Sequence, residues 1–367
     1  MTTHTVDITP IEGLVQQLWD CGGTDIHLTV GTEPQFRIDG ELTAAPGHAP
    51  LLSDETRALV RAMLPAELYE RLDDGDEVDF AFSWRESIRF RGNAFLQRGN
   101  VAVALRAIPQ RIPTAEDLLL PPAVVSLSQL NQGLVLITGP TGSGKSTTQA
   151  ALIDRINSTR SRHILTLEDP IEYVHENRQS IINQREIGID TASFGRGLRS
   201  ALREDPDVIL VGEMRDPESI QTTLSLAETG HLVFATLHTN DSSTALDRIV
   251  DIFEADRQAQ IRVQLAAALA AVVAQRLVPR TDGGMIAAFE VLLANNPVRA
   301  LIREGKTHQI RNVIAQSVRD GMQTLEQSLS VLVAHGLISF DDAVARAVVS
   351  KEIRPPAPQP APGTVPV

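Results

Sequence analysis

The chain has 367 residues, 43% of them hydrophobic, a formal net charge of −13 and a single cysteine, Cys21. That length and apolar content suit two domains with real cores, whereas the negative charge argues against a general nucleic-acid surface, because phosphate binding draws on an excess of Lys and Arg. One cysteine forms neither an internal disulfide nor a four-thiolate zinc site, which points to a reducing compartment.

Near the N-terminus, IEGLVQQLWDCG places Ile11, Leu14, Val15 and Leu18 at helical spacing. The β-like stretches DIHLTV, PQFRIDGEL, VDFAFSW and IRFRGNAFLQRGNVAVALRAI follow, with a helical stretch near residues 53–72 among them. QRG at 97–99 offers a hairpin turn between two alternating strands. This is the pattern of a small α+β domain, predicted over 1–108. The two prolines of PQRIP, 109–113, resist both helix and ladder, and a linker is expected over 109–120. From 121 to 353, short apolar runs alternate with helical segments, the order that builds a mostly parallel sheet covered by helices, so the fold class is α/β. The tail over 354–367, with its PPAPQPAPGTVPV, has too little apolar surface to fold and is expected to be disordered. The run LAAALAAVVA at 265–274 is far shorter than the roughly 18–20 apolar residues of a spanning helix. With no signal-peptide pattern at the N-terminus, the cytoplasm is the expected location.

The strongest chemical motif is LVLITGPTGSGKSTT at 134–148. It fits G-x-x-x-x-G-K-[ST] with Gly139, Gly144, Lys145 and Ser146 at the fixed places, after an apolar strand and before a helix-like segment. Glycines let the backbone curl so that its N–H groups face phosphate oxygens, and the helix that follows adds its positive end. Lys145 would sit between the β- and γ-phosphates of ATP, and Ser146 would offer a hydroxyl to Mg²⁺. Only Lys145, Lys306 and Lys351 are lysines among 33 basic residues. A compact ammonium suits this place where arginine's planar fork does not. The nucleotide-binding residues are thus Gly139, Pro140, Thr141, Gly142, Ser143, Gly144, Lys145, Ser146 and Thr147.

Ligands of open α/β sheets gather at the carboxyl ends of the strands. Here LVLIT ends in the phosphate loop, HILTL in Glu168 and Asp169, VILVG in Glu213 and HLVFATL in His238. An ATP site needs a carboxylate for Mg²⁺, another to orient water, and a polar group near the γ-phosphate. Glu213 fits the second carboxylate of a nucleotide site, and Ser146 and Glu213 are the expected metal ligands. The residues alone leave Glu168, Asp169 and Glu172 open as the base, with Asp169-Pro170 also suited to starting a turn. His231 and His238 flank one strand, and a packing role for His231 is as consistent with its position as a catalytic one.

GPTGSGKST, LTLEDPIEYVH (165–175), ALREDPDVILVGEMRDPESI (201–220) and AETGHLVFATLHTND (227–241) together resemble the Walker A, aspartate, Walker B and histidine boxes of the ATPases of type II secretion and type IV pili. The resemblance runs from about residue 10 to 350. It implies a RecA-like P-loop ATPase core with a smaller PAS-like N-terminal domain, assembled as a homohexamer. It makes Glu213 the Walker B glutamate, His238 the histidine-box residue and Glu172 the water-activating base. It also brings Arg91 and Arg106, from IRFRGNAFLQRGNVAVALRAI, to the γ-phosphate, where an arginine offsets developing charge.

With one cysteine the chain has no tetracysteine loop of the kind usual in extension and export ATPases, and their extra N-terminal domain is not expected, so it resembles the retraction type. NNPVRALIREGK at 295–306 is similar to a C-terminal motif of pilus retraction ATPases, with Val298 and Ala300 where that motif has Ile and Asn. Asn296 can cap this helix and Pro297 suits its first position, with Val298, Leu301 and Ile302 on one face and Arg299 and Arg303 on another. The expectation is a cytoplasmic ATPase at the inner face of the membrane that drives pilus retraction through an inner-membrane platform protein, with other pilus ATPases as further partners. The alternatives are an accessory retraction paralogue, another type II secretion or type IV pilus ATPase, and a nucleotide-gated scaffold without turnover. A DNA motor is disfavoured by charge.

Overall fold

The computed structural model describes residues 9–38, 40–84, 88–108 and 111–355. The chain divides into two compact units, Met1–Arg111 and Ile112–Val367. Residues 109 and 110 of the expected linker and 356–367 of the expected tail lie outside the described residues.

In the first unit β1 (Asp25–Leu28), β2 (Gln35–Ile38), β3 (Glu41–Ala44), β4 (Val78–Trp84), β5 (Ile88–Gln97) and β6 (Asn100–Ala107) form one sheet in the order β3-β2-β1-β6-β5-β4. Every pairing in it is antiparallel. Alternation sets the faces: Val78, Phe80, Phe82 and Trp84 of β4 are buried while Asp79 and Ser83 are exposed. The buried row shares a core with Leu14, Val15 and Leu18 of the helix Glu12–Asp20 and with Val60 and Met63 of the helix Ser53–Met63. The hairpin at QRG is present, with Gln97 opposite Asn100 and positive φ at Arg98 (51°) and Gly99 (76°). Positive φ at both loop positions gives a turn whose twist matches the strands it joins. Two expectations change in detail. The helical stretch near 53–72 is two helices, Ser53–Met63 and Ala66–Asp73, separated at Leu64 and Pro65. Proline has no N–H to continue a helix and suits the start of one. PQFRIDGEL is likewise two strands, β2 and β3, which pair with each other.

In the second unit β7 (Gly133–Thr138), β8 (His163–Glu168), β9 (Ile181–Glu186), β10 (Val208–Val211), β11 (Leu232–Leu237), β12 (Leu269–Pro279) and β13 (Met285–Leu293) form a sheet in the order β13-β12-β7-β11-β10-β8-β9. All pairs are parallel except β12 with β13. β7 and β11 are buried at every residue, as parallel strands covered on both faces must be. Leu134 and Leu136 of β7 enter one core, Val135 and Ile137 the other. The apolar run 265–274 crosses an element boundary: the helix Ala255–Ala268 ends and β12 begins at Leu269. Among the described residues, no helix is long and apolar enough to cross a membrane.

The segment NPVRALIR is a helix, Asn296–Arg303, burying Val298 and Ile302. Its cap is Asn295, not Asn296: the Asn295 side chain accepts from the Val298 N–H at 3.1 Å. A cap side chain has to reach back to the third helical N–H, which Asn296, already the first helical residue, cannot do. Arg299 does not share an open face with Arg303. Its guanidinium donates to the carbonyls of Ala266, Ala267 and Ala294, so it caps the last turn of Ala255–Ala268.

Candidate functional site

β7 delivers the chain to Gly139, and the helix Lys145–Thr159 takes it up again after Gly144. Three loop glycines have positive φ: Gly139 at 148°, Gly142 at 76° and Gly144 at 84°. Gly139 has a second constraint, because a Cβ there would run into the Gln275 carbonyl and the Ser143 hydroxyl. The Lys145 ammonium is buried and donates to the carbonyls of Gly139 at 2.9 Å and Pro140 at 3.0 Å. Burial lowers its pKa, while the Glu213 and Glu172 carboxylates oppose the fall. The hydroxyls of Thr138 and Ser143 are buried without hydrogen-bond partners. A curled loop at a helix N-terminus, a loop-facing ammonium and unpaired hydroxyls together fit an anion with several oxygens.

Three further strand ends meet this loop. β10 leads through Gly212 to Glu213, and Gly212 accepts at its carbonyl from the Thr236 hydroxyl on β11. The Glu213 carboxylate binds Arg215 Nη2 at 2.6 Å and lies 3.4 Å from His238 Nε2, at the end of β11. The Arg215 bond and the neighbouring His238 hold the Glu213 carboxyl below the usual range against the opposing effect of burial. Glu213 therefore stays ionised, and an ionised carboxylate is a hard oxygen donor of the kind Mg²⁺ takes.

At the end of β8 the aspartate box sorts its acids. Burial raises the pKa of Glu168, and its carboxylate accepts from the Thr166 hydroxyl at 2.6 Å and Gln184 Nε2 at 3.1 Å. Those bonds, with one from the Glu172 amide, make Glu168 a brace for the loop. Asp169 is exposed and precedes a cis bond to Pro170. Glu172 is exposed and within electrostatic reach of Lys145. Tyr173 ties the same loop to the phosphate helix, its hydroxyl 3.0 Å from that of Thr147. The two histidines separate: His238 stands with Glu213, whereas His231 precedes β11 at the other end of the sheet, its Nδ1 2.9 Å from the Leu226 carbonyl. The structure thus brings the phosphate loop, Glu172, Glu213 and His238 together.

Two buried polar residues of the sheet escaped the sequence reading. Gln275 of β12 donates from Nε2 to the Ser143 carbonyl at 2.5 Å. Glu290 of β13 accepts from the Ser242 N–H at 2.8 Å and hydroxyl at 2.7 Å, bracing the helix that follows the histidine box. The only hint was a polar residue within an apolar strand run.

Arg91 and Arg106 belong to the first unit, face each other across β5 and β6, and are both exposed. Arg106 is tethered through Nε to buried Asp25 Oδ1 at 2.7 Å, with Asp25 opposite it on β1.

Residues 8–285 match the family described as Type II/IV secretion system protein. The chain is 44% identical to the type IV pilus retraction ATPase PilT of Pseudomonas aeruginosa over 89% of its length and 95% of that protein's. It is 41% identical to the type IV pilus ATPase PilU of the same organism, over 94% of this chain and 90% of that one. Among solved structures, a pilus retraction motor PilT with bound ADP superposes with a TM-score of 0.87 at 46% identity, covering 93% of this chain and 98% of that one. Its parallel sheet is accordingly a RecA-like ATPase core preceded by a smaller N-terminal domain. The match over three quarters of its length places this chain in the Type II/IV secretion system protein family.

Proposed function

We propose that this protein is the motor ATPase of type IV pilus retraction, hydrolysing ATP as a cytoplasmic homohexamer that acts on an inner-membrane platform protein. The reading rests above all on the 44% identity to a pilus retraction ATPase across 95% of that protein. Its chemistry is supported by the Lys145 loop lying within electrostatic reach of Glu172 and Glu213. Backbone N–H groups of the loop from Thr141 to Thr147 and the Lys145 ammonium hold the phosphates. Ser146 and Glu213 would hold Mg²⁺, which supplies positive charge to the phosphate oxygens when bound. Glu172 orients the attacking water and accepts its proton. His238 holds Glu213 in place. Arg91 and Arg106 supply charge to the γ-phosphate of an adjoining copy, the assignment the family resemblance favours. A change of shape coupled to nucleotide state converts each turnover into distortion of the ring.

Phosphate release by wild type and Glu213→Ala separates a motor from a nucleotide-gated scaffold, since equal rates eliminate the motor. Deleting the gene tests the biological role. Abundant pili on cells that no longer twitch are expected, whereas bald cells would assign the protein to assembly.

A further inference from the structure

From the contacts of one buried amide we infer that Gln275 is a positioning residue that orients the phosphate loop for nucleotide; the inference rests on the nucleotide-site reading above. Gln275 lies on β12, beside the loop-bearing strand β7, and is 1% exposed. It touches the loop at both fixed glycines. Its backbone carbonyl occupies the space a Cβ on Gly139 would need, and its Nε2 would lie 3.1 Å from a Cβ on Gly144. Between those points its Nε2 donates to the Ser143 carbonyl at 2.5 Å.

That bond decides a direction. In a trans peptide, the carbonyl of one residue and the N–H of the next lie in the peptide plane and point in opposite directions across the C–N bond. Holding the Ser143 carbonyl against β12 therefore turns the Gly144 N–H away from β12. Gly144 caps the helix Lys145–Thr159 with φ of 84°, so its N–H is one of the unpaired donors that make a helix start attract anions. A side chain lacking a donor would let this peptide rotate and turn that N–H out of the cradle. The packing around position 275 need not change for this to happen.

The test uses two substitutions of matched size. Gln275→Met keeps the volume and loses the donor; Gln275→Glu keeps the shape and sets a carboxylate oxygen against the Ser143 carbonyl. Labelled ADP binding, steady-state phosphate release and the melting midpoint without nucleotide are measured on the full chain. Losing one hydrogen bond predicts about tenfold weaker ADP binding for Gln275→Met and a larger loss for Gln275→Glu. KM should rise with kcat little changed, because the cradle binds ground and transition states alike. A purely structural role would instead lower the melting midpoint and leave ADP affinity alone, which overturns the inference. Should Gln275→Met fail to melt cooperatively, Gln275→Asn makes the same comparison, since its amide is withdrawn by one methylene. A wild type that binds no ADP sinks the nucleotide reading and this inference together. A wild type that binds ADP no better than the variants sinks this inference alone.

Discussion

Glu168 ends β8 and Glu172 lies four residues on, and their surroundings favour only Glu172 for the proposed role of base. Glu168 has its carboxylate occupied by Thr166 and Gln184, while Glu172 is exposed and faces the Lys145 charge. Glu172→Gln should lower kcat by about 10²–10⁴ while labelled ADP binds as before. Glu168→Gln keeps an acceptor for Thr166 and should retain most of the activity. The reverse ranking in a phosphate-release assay would move the base to Glu168. Arg215 allows a test of pH. Its bond is the largest cause lowering the Glu213 pKa, so the carboxylate and whatever it stabilises persist at neutral pH and are lost only as pH falls through the lowered value. Arg215→Ala lets that pKa rise. The acid limb of the rate–pH profile should then move to higher pH, and an unmoved limb would rule out control by Arg215. Glu213 and His238 were legible in the sequence because each stands at the end of an apolar strand, and Lys145 because it closes the G-x-x-x-x-G-K motif. Gln275 was not, because the Ser143 carbonyl it holds is 132 residues away along the chain.

Elements were legible where a period could be counted. The alternation of VDFAFSW and the unbroken apolar character of LVLIT announce β4 and β7. LAAALAAVVA has no period because nearly every position is apolar, and the switch from helix to β12 inside it is set by tertiary contacts. Arg299 belongs to that switch. Its guanidinium closes the last turn of Ala255–Ala268, leaving the carbonyls of Ala266 and Ala267 without those donors if it is removed. Arg299→Ala should therefore cost about 1–3 kcal/mol of stability, read as a lowered urea midpoint at unchanged ADP affinity. Arg303 is exposed, and Arg303→Ala should stay within about 0.5 kcal/mol of wild type. Equal effects of the two would mean that Arg299 is a surface residue and not a cap.

Over the whole molecule, the cations proposed for the γ-phosphate and the loop that holds the phosphates belong to different compact units. Arg91 and Arg106 stand side by side on a sheet with its own core, and Asp25 holds Arg106 by Nε alone. Among the described residues no bond engages the terminal nitrogens of Arg106, which leaves them to meet another group. Sequence spacing cannot say whether those arginines serve their own copy's ATP or a neighbour's. A mixing experiment can. Lys145→Ala chains keep their arginines and lose the phosphate lysine; Arg106→Ala chains do the reverse, and each alone should be nearly inactive, an arginine at this place contributing about 10³–10⁵ in rate. If the arginine acts across copies, co-assembled rings contain sites with Lys145 from one chain and Arg106 from the next. Phosphate release should then reappear on mixing and vanish again on dilution below the assembly concentration. If it acts within one chain, every site in the mixture lacks one of the two charges and no activity returns, so a mixture as inactive as its parts would remove the neighbouring copy from the mechanism.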